Sequence, residues 1–273
     1  MNSSLVITSP VVSVEWLQNN LNSDNLIVLD GTINKAFDAL SQQIPNTRLF
    51  DIKKKFSDMS NEFPSAFPSV ELFQESARAL GINNDSAIVV YDDKGIYSSA
   101  RVWWLFKAFG YNNVAVLNGG FPEWLNAEYE TENMKTYNDE IGNFTSNIQP
   151  ELMRFFDDVK KASEHKTHHI IDARSSGRFN CEIGEPREGL RMGTIPNSVN
   201  LPFTDLLENS VLKPKEDLEV LFNNVADKDD AIIFSCGSGI TACVLALGAE
   251  ISGYKNISVY DGSWTEWGSL VEE

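Results

Sequence analysis

The sequence predicts an α/β protein made of two tandem copies of one domain, each a mainly parallel sheet flanked by helices on both faces. Three observations lead to this prediction. The two halves of the chain resemble each other, short apolar runs alternate with amphipathic segments in each half, and a polar stretch separates the halves. A chain of 273 residues is also long enough for two domains of ordinary size.

The resemblance between the halves consists of four pairs of segments that occur in the same order. The pairs are LIVLDGT with HIIDARS, QIPNTRLF with TIPNSVNLPF, SAIVVYDD with DAIIFSCG, and NVAVLNGGFPEW with NISVYDGSWTEW. The members of each pair lie roughly 145 residues apart, which indicates a duplicated domain and not a short-period solenoid.

Short β-branched runs in each half predict the strands, which are 27–29, 88–91 and 114–117, followed by 170–171, 232–234 and 257–260. Amphipathic helices are predicted at 68–80, 100–109 and 215–224. Strands that are apolar on both faces and alternate with helices are typical of a covered parallel sheet. The polar stretch 131–150 lacks helical periodicity. We therefore predict a first domain at 1–135, a linker at 136–150 and a second domain at 151–273.

Composition and charge restrict the classes of partner. Hydrophobic residues make up 42% of the chain, charged residues 22%, and the net charge is −17. Such a charge opposes phosphate backbones and anionic lipid, so neither nucleic acid nor a membrane is an expected partner. No apolar stretch approaches the roughly 20 residues that span a bilayer, and the first residues lack the features of a signal peptide. Three cysteines make no disulfide framework, which favours a reducing, cytoplasmic location.

The stretch FSCGSGITACVLALGAE predicts a nucleophilic thiol at Cys236. A buried strand ends just before this cysteine and a helix begins just after the glycine-rich turn, so Cys236 lies at the carboxyl edge of the sheet, where ligands bind in such folds. The glycines allow successive N–H groups to point inward as an anion-binding nest, and the helix adds its positive end. A thiol in this position should ionise readily.

The other cysteines and the histidines receive different interpretations. Cys243 lies within an apolar helix and is expected to pack in the core. Cys181 is either a loop residue or a resolving thiol. The three histidines (His165, His168 and His169) form no recognisable metal motif, so we predict neither a metal site nor a Cys–His pair.

The first half has Asp92 where the second has Cys236. A carboxylate cannot act as a sulfur nucleophile, so we expect one catalytic copy and one scaffold copy.

These residues resemble the two-domain rhodanese-type sulfurtransferases, and most closely the 3-mercaptopyruvate sulfurtransferases. The matching segments are CGSGITA, DARSSGRFNCEIGEPREG, IPNSVNLPF and YDGSWTEWG, and the resemblance covers nearly the whole chain. It implies that Cys236 takes sulfur from a small donor as a persulfide and passes it to an acceptor, which is a thiol, cyanide or a thioredoxin-like protein. No cofactor is implied.

The resemblance also implies roles for individual residues. Arg178 and Arg187 match the arginines that bind the carboxylate of the donor, and guanidinium groups suit that task because they bind carboxylates bidentately. The backbone amides of the loop would hold the persulfide anion, with hydroxyls near the sulfur from Ser238 and Thr241. The expected loop residues are Gly237, Ser238, Gly239, Ile240, Thr241 and Ala242.

The chain departs from the family pattern at two places. Some members pair the loop serine with an aspartate and a histidine of the first domain, but this chain has Lys53 at the aligned position and no histidine in that segment. A Ser–His–Asp relay is therefore not expected for Ser238. The family's GHIPGA is replaced by GTIPNS and QQIPNT, which could alter turnover.

Three alternative functions are compatible with a cysteine in such a loop. A phosphatase with the same fold would need Cys-x5-Arg, but Ala242 stands six residues after Cys236. A non-enzymatic binding module would predict a degraded loop in both copies. A thiosulfate sulfurtransferase remains the nearest alternative, although its loop usually carries basic residues where this chain has Gly237 and Ser238.

Overall fold

A computed structural model describes residues 4–137 and 140–272. The described chain divides into two compact units, the first comprising residues 4–58, 67–149 and 209–211 and the second 59–66, 150–208 and 212–272. Each unit is an α/β fold with a five-stranded parallel sheet, which confirms the predicted fold class. None of the described helices is long and apolar enough to cross a membrane.

The first unit contains strands β1 (Val11–Val12), β2 (Leu26–Asp30), β3 (Gln42–Gln43), β4 (Thr47–Leu49), β5 (Ala87–Tyr91), β6 (Val114–Leu117) and β7 (Glu132–Asn133). Its helices are α1 (Val14–Asn20), α2 (Val70–Ala79), α3 (Ser99–Ala108) and α4 (Gly120–Asn126). The main sheet has the order β1-β6-β5-β2-β4, while β3 and β7 form a small antiparallel pair.

The second unit contains strands β8 (Met153–Arg154), β9 (His169–Asp172), β10 (Ser198–Asn200), β11 (Leu207–Glu208), β13 (Ile232–Ser235) and β14 (Ile257–Tyr260). The short strand β12 (Val211–Leu212) begins with the last residue of the segment 209–211, which belongs to the first unit. The helices of the second unit are α5 (Phe156–His165), α6 (Ser176–Phe179), α7 (Lys215–Asn223), α8 (Ala242–Ile251) and α9 (Ser263–Leu270). The sheet order β10-β9-β13-β14-β8 matches that of the first unit when the copies are aligned.

Apolar side chains on both faces of each sheet explain why helices cover both sides. In β5, Val89 packs in a cluster with Leu17 of α1 and Trp124 of α4. The next residue, Val90, points to the opposite face, where both it and Val102 of α3 lie against Gly31. Successive strand residues alternate between faces, so the unbroken apolar run of β5 can serve two helix layers.

One predicted helix differs in character from the prediction. The segment 100–109 was expected to be amphipathic, but in α3 almost every side chain is buried, including those of Trp103 and Trp104 at 1% exposure. Lys107 alone among the residues of α3 is partly exposed. A helix that is apolar all round is buried on all sides, so the amphipathic interpretation of this segment was wrong.

Part of the predicted linker is packed. Phe144 is fully buried and contacts Phe73, and its N–H donates to the carbonyl of Ile82 at 3.1 Å. The N–H groups of Asn147 and Gln149 also donate to carbonyls of the first unit. Residues 140–149 are therefore a packed segment of that unit, held by one aromatic anchor in a polar stretch. The boundaries 1–135 and 151–273 stay a prediction.

Candidate active site

Cys236 lies at the carboxyl end of β13, in a loop that leads to α8. Its side chain is 1% exposed. The loop turns through Gly239, whose φ of +71° lies in the left-handed region that favours glycine. The strand, the loop and the helix therefore have the order that the sequence predicted.

The first turn of α9 fixes the backbone of this loop. The Trp264 N–H donates to the Cys236 carbonyl at 3.0 Å, and the Thr265 N–H donates to the Gly237 carbonyl at 2.9 Å. The Thr265 hydroxyl donates to the same Gly237 carbonyl at 2.6 Å. The carbonyls of Cys236 and Gly237 are therefore held from outside the loop.

Ser263 braces the loop with its hydroxyl. The Ser263 Oγ accepts the N–H of Cys236 at 3.0 Å and that of Gly239 at 3.1 Å, and it lies 3.9 Å from the Cys236 Sγ. A hydroxyl has one proton to donate, and Ser263 gives it to the Tyr260 carbonyl at 2.9 Å. Ser263 therefore positions the cysteine and does not hydrogen-bond strongly to the sulfur.

The sequence analysis missed Ser263, although one signal was present. Where the second half reads DGSW, the first reads NGGF, so Ser263 aligns with Gly120. Both residues have left-handed backbone, with φ of +51° at Ser263 and +55° at Gly120. A serine held in a glycine conformation points to a required side chain.

The loop amides fall into two groups. The amide of Gly239 is engaged by Ser263, so it does not point at the sulfur as the sequence had suggested. By contrast, the backbone N–H groups of Ser238, Ile240, Thr241 and Ala242 donate to no acceptor within the described residues. These four amides line a turn that can accept an anion.

The first copy of the loop shows what such amides can hold. The fully buried Asp92 carboxylate accepts the N–H groups of Lys94 and Tyr97 at 2.9 Å and of Ser99 at 2.8 Å. Asp92 aligns with Cys236, and the same offset places Lys94 on Ser238 and Tyr97 on Thr241. In this fold the loop amides thus bind an anion at the aligned position.

Arg178 lies directly beside the loop. A Cβ built on Gly237 would be 3.0 Å from the Arg178 Nη2, so the arginine occupies the space of a side chain at that position. The Nε and Nη2 groups of Arg178 donate to Glu185 at 3.3 and 2.5 Å. This pairing uses the edge formed by Nε and Nη2, so the edge formed by Nη1 and the second N–H of Nη2 remains for a ligand.

Arg174 connects the same carboxylate to the sheet. Its fully buried guanidinium pairs with Asp172 and with Glu185, each at 2.8 Å. Burial acts to lower the pKa of Arg174, but the two carboxylates raise it above its ordinary value. The guanidinium also lies 4.8 Å from the Trp264 ring. Arg174 therefore packs against Trp264, and the N–H of Trp264 donates to the Cys236 carbonyl in the catalytic loop.

The other predicted site residues are placed differently. Arg187 is exposed, makes no ion pair among the described residues, and is not brought into contact with the loop. Thr241 is 8% exposed and begins α8, while Ser238 is half-buried. Neither hydroxyl hydrogen-bonds the Cys236 sulfur within the described chain.

The remaining cysteines and histidines lie outside this arrangement. Cys243 is buried in α8 as predicted, and its thiol donates to the Gly239 carbonyl at 3.4 Å. Cys181 is exposed beside a cavity of about 510 Å³ that Arg191 and Trp267 also line. His169 pairs with Ile232, four residues before Cys236, which separates the two by about 13 Å along the strand. Among the described residues no cluster of three potential metal ligands occurs.

This fold and this loop define a class of α/β protein in which a thiol lies in an anion-binding turn at the carboxyl edge of a parallel sheet. The sequence profile of the rhodanese-like domain matches the chain twice, at residues 13–127 and 155–270. The chain belongs to the rhodanese family.

Named relatives resemble the chain over most of its length. The 3-mercaptopyruvate sulfurtransferase of Escherichia coli K12 is 35% identical over 97% of each chain. The mitochondrial thiosulfate/3-mercaptopyruvate sulfurtransferase 1 of Arabidopsis thaliana is 37% identical over 97% of this chain and 77% of its own. The crystal structure of SseA from Escherichia coli, a 3-mercaptopyruvate sulfotransferase, superposes with a TM-score of 0.82 at 32% identity and covers 94% of this chain and 99% of its own.

Proposed function

We propose that this protein is a sulfurtransferase that moves sulfur from 3-mercaptopyruvate to a thiophilic acceptor through a persulfide on Cys236, with release of pyruvate. The observation that carries the proposal is the amide-lined loop around a buried cysteine, together with its first copy, in which the aligned amides bind the Asp92 carboxylate. The names of the similar proteins from E. coli and A. thaliana support the same chemistry.

The first half-reaction forms a sulfur–sulfur bond. The Cys236 thiolate attacks the sulfur of the donor, the carbon–sulfur bond breaks, and its electron pair leaves as the enolate of pyruvate. That enolate takes up one proton and becomes pyruvate, while the new Cys–S–SH group releases one proton to become the persulfide anion. The charge on the outer sulfur is then stabilised by the inward-facing amides of Ser238, Ile240, Thr241 and Ala242.

The second half-reaction transfers the outer sulfur to the acceptor and regenerates Cys236. A nucleophilic acceptor (a thiolate, cyanide or the thiolate of a thioredoxin-like protein) attacks the outer sulfur, and the electron pair of the sulfur–sulfur bond returns to Cys236 as a thiolate. No electrons are gained or lost overall, so the cycle needs no redox cofactor. When the attacking group is a thiolate, no residue of the catalytic loop has to act as a general base.

Arg178 is the proposed anchor for the donor carboxylate, through the guanidinium edge formed by Nη1 and the second N–H of Nη2. For Arg187 the support is the sequence motif alone, since the side chain is exposed. Gly237 and Ser238 keep the loop free of fixed cations, which favours a donor with a single carboxylate.

Thiosulfate is the second candidate donor. The position of the Arg178 guanidinium against Gly237 favours it, because a cation close to the sulfur suits a dianion. The Arabidopsis relative's name also includes thiosulfate. Pairing of Arg178 with Glu185 offsets the first argument, so we rank 3-mercaptopyruvate first.

The setting of the reaction is proposed from composition. All three cysteines are free thiols, which suits a reducing compartment, and we assign the protein to the cytoplasm. With a net charge of −17, no nucleic acid or membrane partner is assigned. The first domain, with Asp92 at the cysteine position, is assigned a scaffold role.

The experiment that tests the proposal is mass spectrometry of the protein after treatment with 3-mercaptopyruvate. The peptide that contains Cys236 should gain one sulfur atom, and a thiol acceptor should then remove it. Cys236→Ser should abolish both sulfur loading and turnover with the fold intact, whereas the control Cys181→Ser should leave both unchanged. Sulfur found only on Cys181 or Cys243 would contradict the assignment.

A further inference from the structure

Glu185 is a buried carboxylate placed between two arginines. Its side chain is 1% exposed. Its Oε1 accepts from the Arg174 Nη1 at 2.8 Å and from the Arg178 Nε at 3.3 Å, and its Oε2 accepts from the Arg178 Nη2 at 2.5 Å. Both oxygens of Glu185 are therefore engaged, and the carboxylate holds Arg178 by its Nε and Nη2 groups.

Arg174 does not neutralise Glu185 on its own, because Arg174 is also paired with the carboxylate of Asp172. Arg174 Nε donates to both oxygens of Asp172 at 3.1 and 2.9 Å, and its Nη2 donates to the Gly193 carbonyl at 2.9 Å. The two cations Arg174 and Arg178 are thus matched by the two anions Asp172 and Glu185. The group has no net charge, although a guanidinium forms its outer end beside the loop.

The partner of Arg178 determines what a ligand at the loop experiences. If Arg178 were unpaired, it would add a full positive charge next to Gly237, which favours a dianion at the sulfur over a monoanion. Paired with Glu185, it offers the N–H groups of its Nη1–Nη2 edge as hydrogen-bond donors with little net charge. A donor with one carboxylate needs the hydrogen bond, whereas a dianion needs the charge.

We propose that Glu185 is the residue that sets donor selectivity, because it orients Arg178 against Gly237 and cancels its charge, so that a monoanionic carboxylate donor is favoured over the dianion thiosulfate. This role rests on the proposed function. Glu185 acts through Arg178 and is a positioning residue.

The test is Glu185→Gln, which removes one negative charge and keeps the size of the side chain. The ratio of kcat/KM for thiosulfate to that for 3-mercaptopyruvate should rise about tenfold or more, mainly through the KM of thiosulfate. Alkylation of Cys236 by anionic iodoacetate should become faster relative to alkylation by neutral iodoacetamide, since the cation beside Gly237 is then unpaired. The matched control is Glu182→Gln, which makes the same charge change at an exposed residue of the same segment and should shift neither quantity.

Two further variants keep the proposal falsifiable if Glu185→Gln does not fold. Arg178→Gln leaves Glu185 without its outer partner and should shift the ratio in the opposite direction, while the double variant Glu185→Gln/Arg178→Gln should return it towards the starting value. Glu185→Asp keeps the charge and should keep the ratio while weakening both donors.

An unchanged donor ratio and an unchanged alkylation profile in folded Glu185→Gln would overturn the proposal and leave Glu185 a structural residue. The alkylation profile requires no donor, so it reports on Glu185 even if neither donor loads sulfur on the wild-type protein. That latter result would instead refute the proposed function.

Discussion

Replacement of Asp92 tests the idea that the first loop is an anion-binding turn occupied by its own side chain. The Asp92 carboxylate is fully buried and accepts three backbone N–H groups at 2.8 to 2.9 Å. In Asp92→Ala all three donors lose their acceptor. In Asp92→Asn the amide keeps an oxygen for the donors on one side only and turns its NH₂ group towards the remaining N–H.

The magnitude follows from these contacts. A hydrogen bond to a charged group contributes about 1.5–3 kcal/mol net, and three of them are lost in Asp92→Ala. Removing a buried charge also removes its desolvation cost, which offsets part of that loss. We expect Asp92→Ala to lower the free energy of unfolding of the first unit by about 3–5 kcal/mol and Asp92→Asn by about 2 kcal/mol.

Urea unfolding, followed by circular dichroism and by tryptophan fluorescence, measures these differences. Asp93→Asn is the control, because Asp93 is exposed. Partial desolvation and, secondarily, the neighbouring carboxylates raise the pKa of Asp93, so loss of its charge should not destabilise the protein. Folded Asp92→Ala protein should still transfer sulfur, since Asp92 takes part in no chemical step. A change below about 1 kcal/mol in Asp92→Ala would refute the anion-turn interpretation, and complete loss of turnover in a folded variant would refute the scaffold role.

Three further outcomes are expected. Ser263→Ala should lower kcat by about tenfold while sulfur still loads, because the amides of Cys236 and Gly239 lose their acceptor, and unchanged single-turnover rates would contradict this. Arg178→Ala should lower kcat/KM for 3-mercaptopyruvate by an amount equivalent to about 2–3 kcal/mol, whereas Arg187→Ala should cost less because solvent screens an exposed charge; steady-state kinetics of both variants check the order. Burial and nearby carboxylates raise the pKa of Glu266, so its ionised form is disfavoured in the fold. Glu266→Gln should therefore raise the free energy of unfolding at pH 7, with a gain that disappears as the pH falls below the ordinary carboxyl pKa, measured by urea unfolding at several pH values.

The sequence predicted the parallel sheets and the position of Cys236 because both depend on local patterns. A buried strand followed by a glycine-rich turn and an apolar helix can be recognised within a short stretch of sequence. The duplication supplied a second copy of the strand pattern. The residues that contact the loop from distant parts of the chain could not be predicted from local sequence patterns. Ser263 reaches it from 27 residues further along the chain, as the hydrogen bond to the Cys236 amide shows. Glu185 lies in an irregular segment whose ion pairs follow no period.

One expectation was wrong, and the packing of one segment was not expected from the sequence. The helix at 100–109 was called amphipathic from its own composition, although whether a helix face is buried depends on what packs against it. The stretch 131–150 is polar on average, so the single aromatic Phe144 gave too weak a signal to indicate packing of 140–149 on the first unit.

The two copies of the loop differ in whether their backbone N–H groups always have a hydrogen-bond acceptor, and this difference affects stability. In the first copy Asp92 supplies the anion permanently. In the second copy the amides of Ser238 and Thr241 have no protein acceptor in the described chain, so the anion must come from the sulfur of Cys236. Sulfur loading of Cys236 should consequently stabilise the second unit against unfolding, by the same linkage that makes a bound ligand raise stability. The transferred sulfur atom thus contributes to the stability of the second unit for as long as it is bound to Cys236.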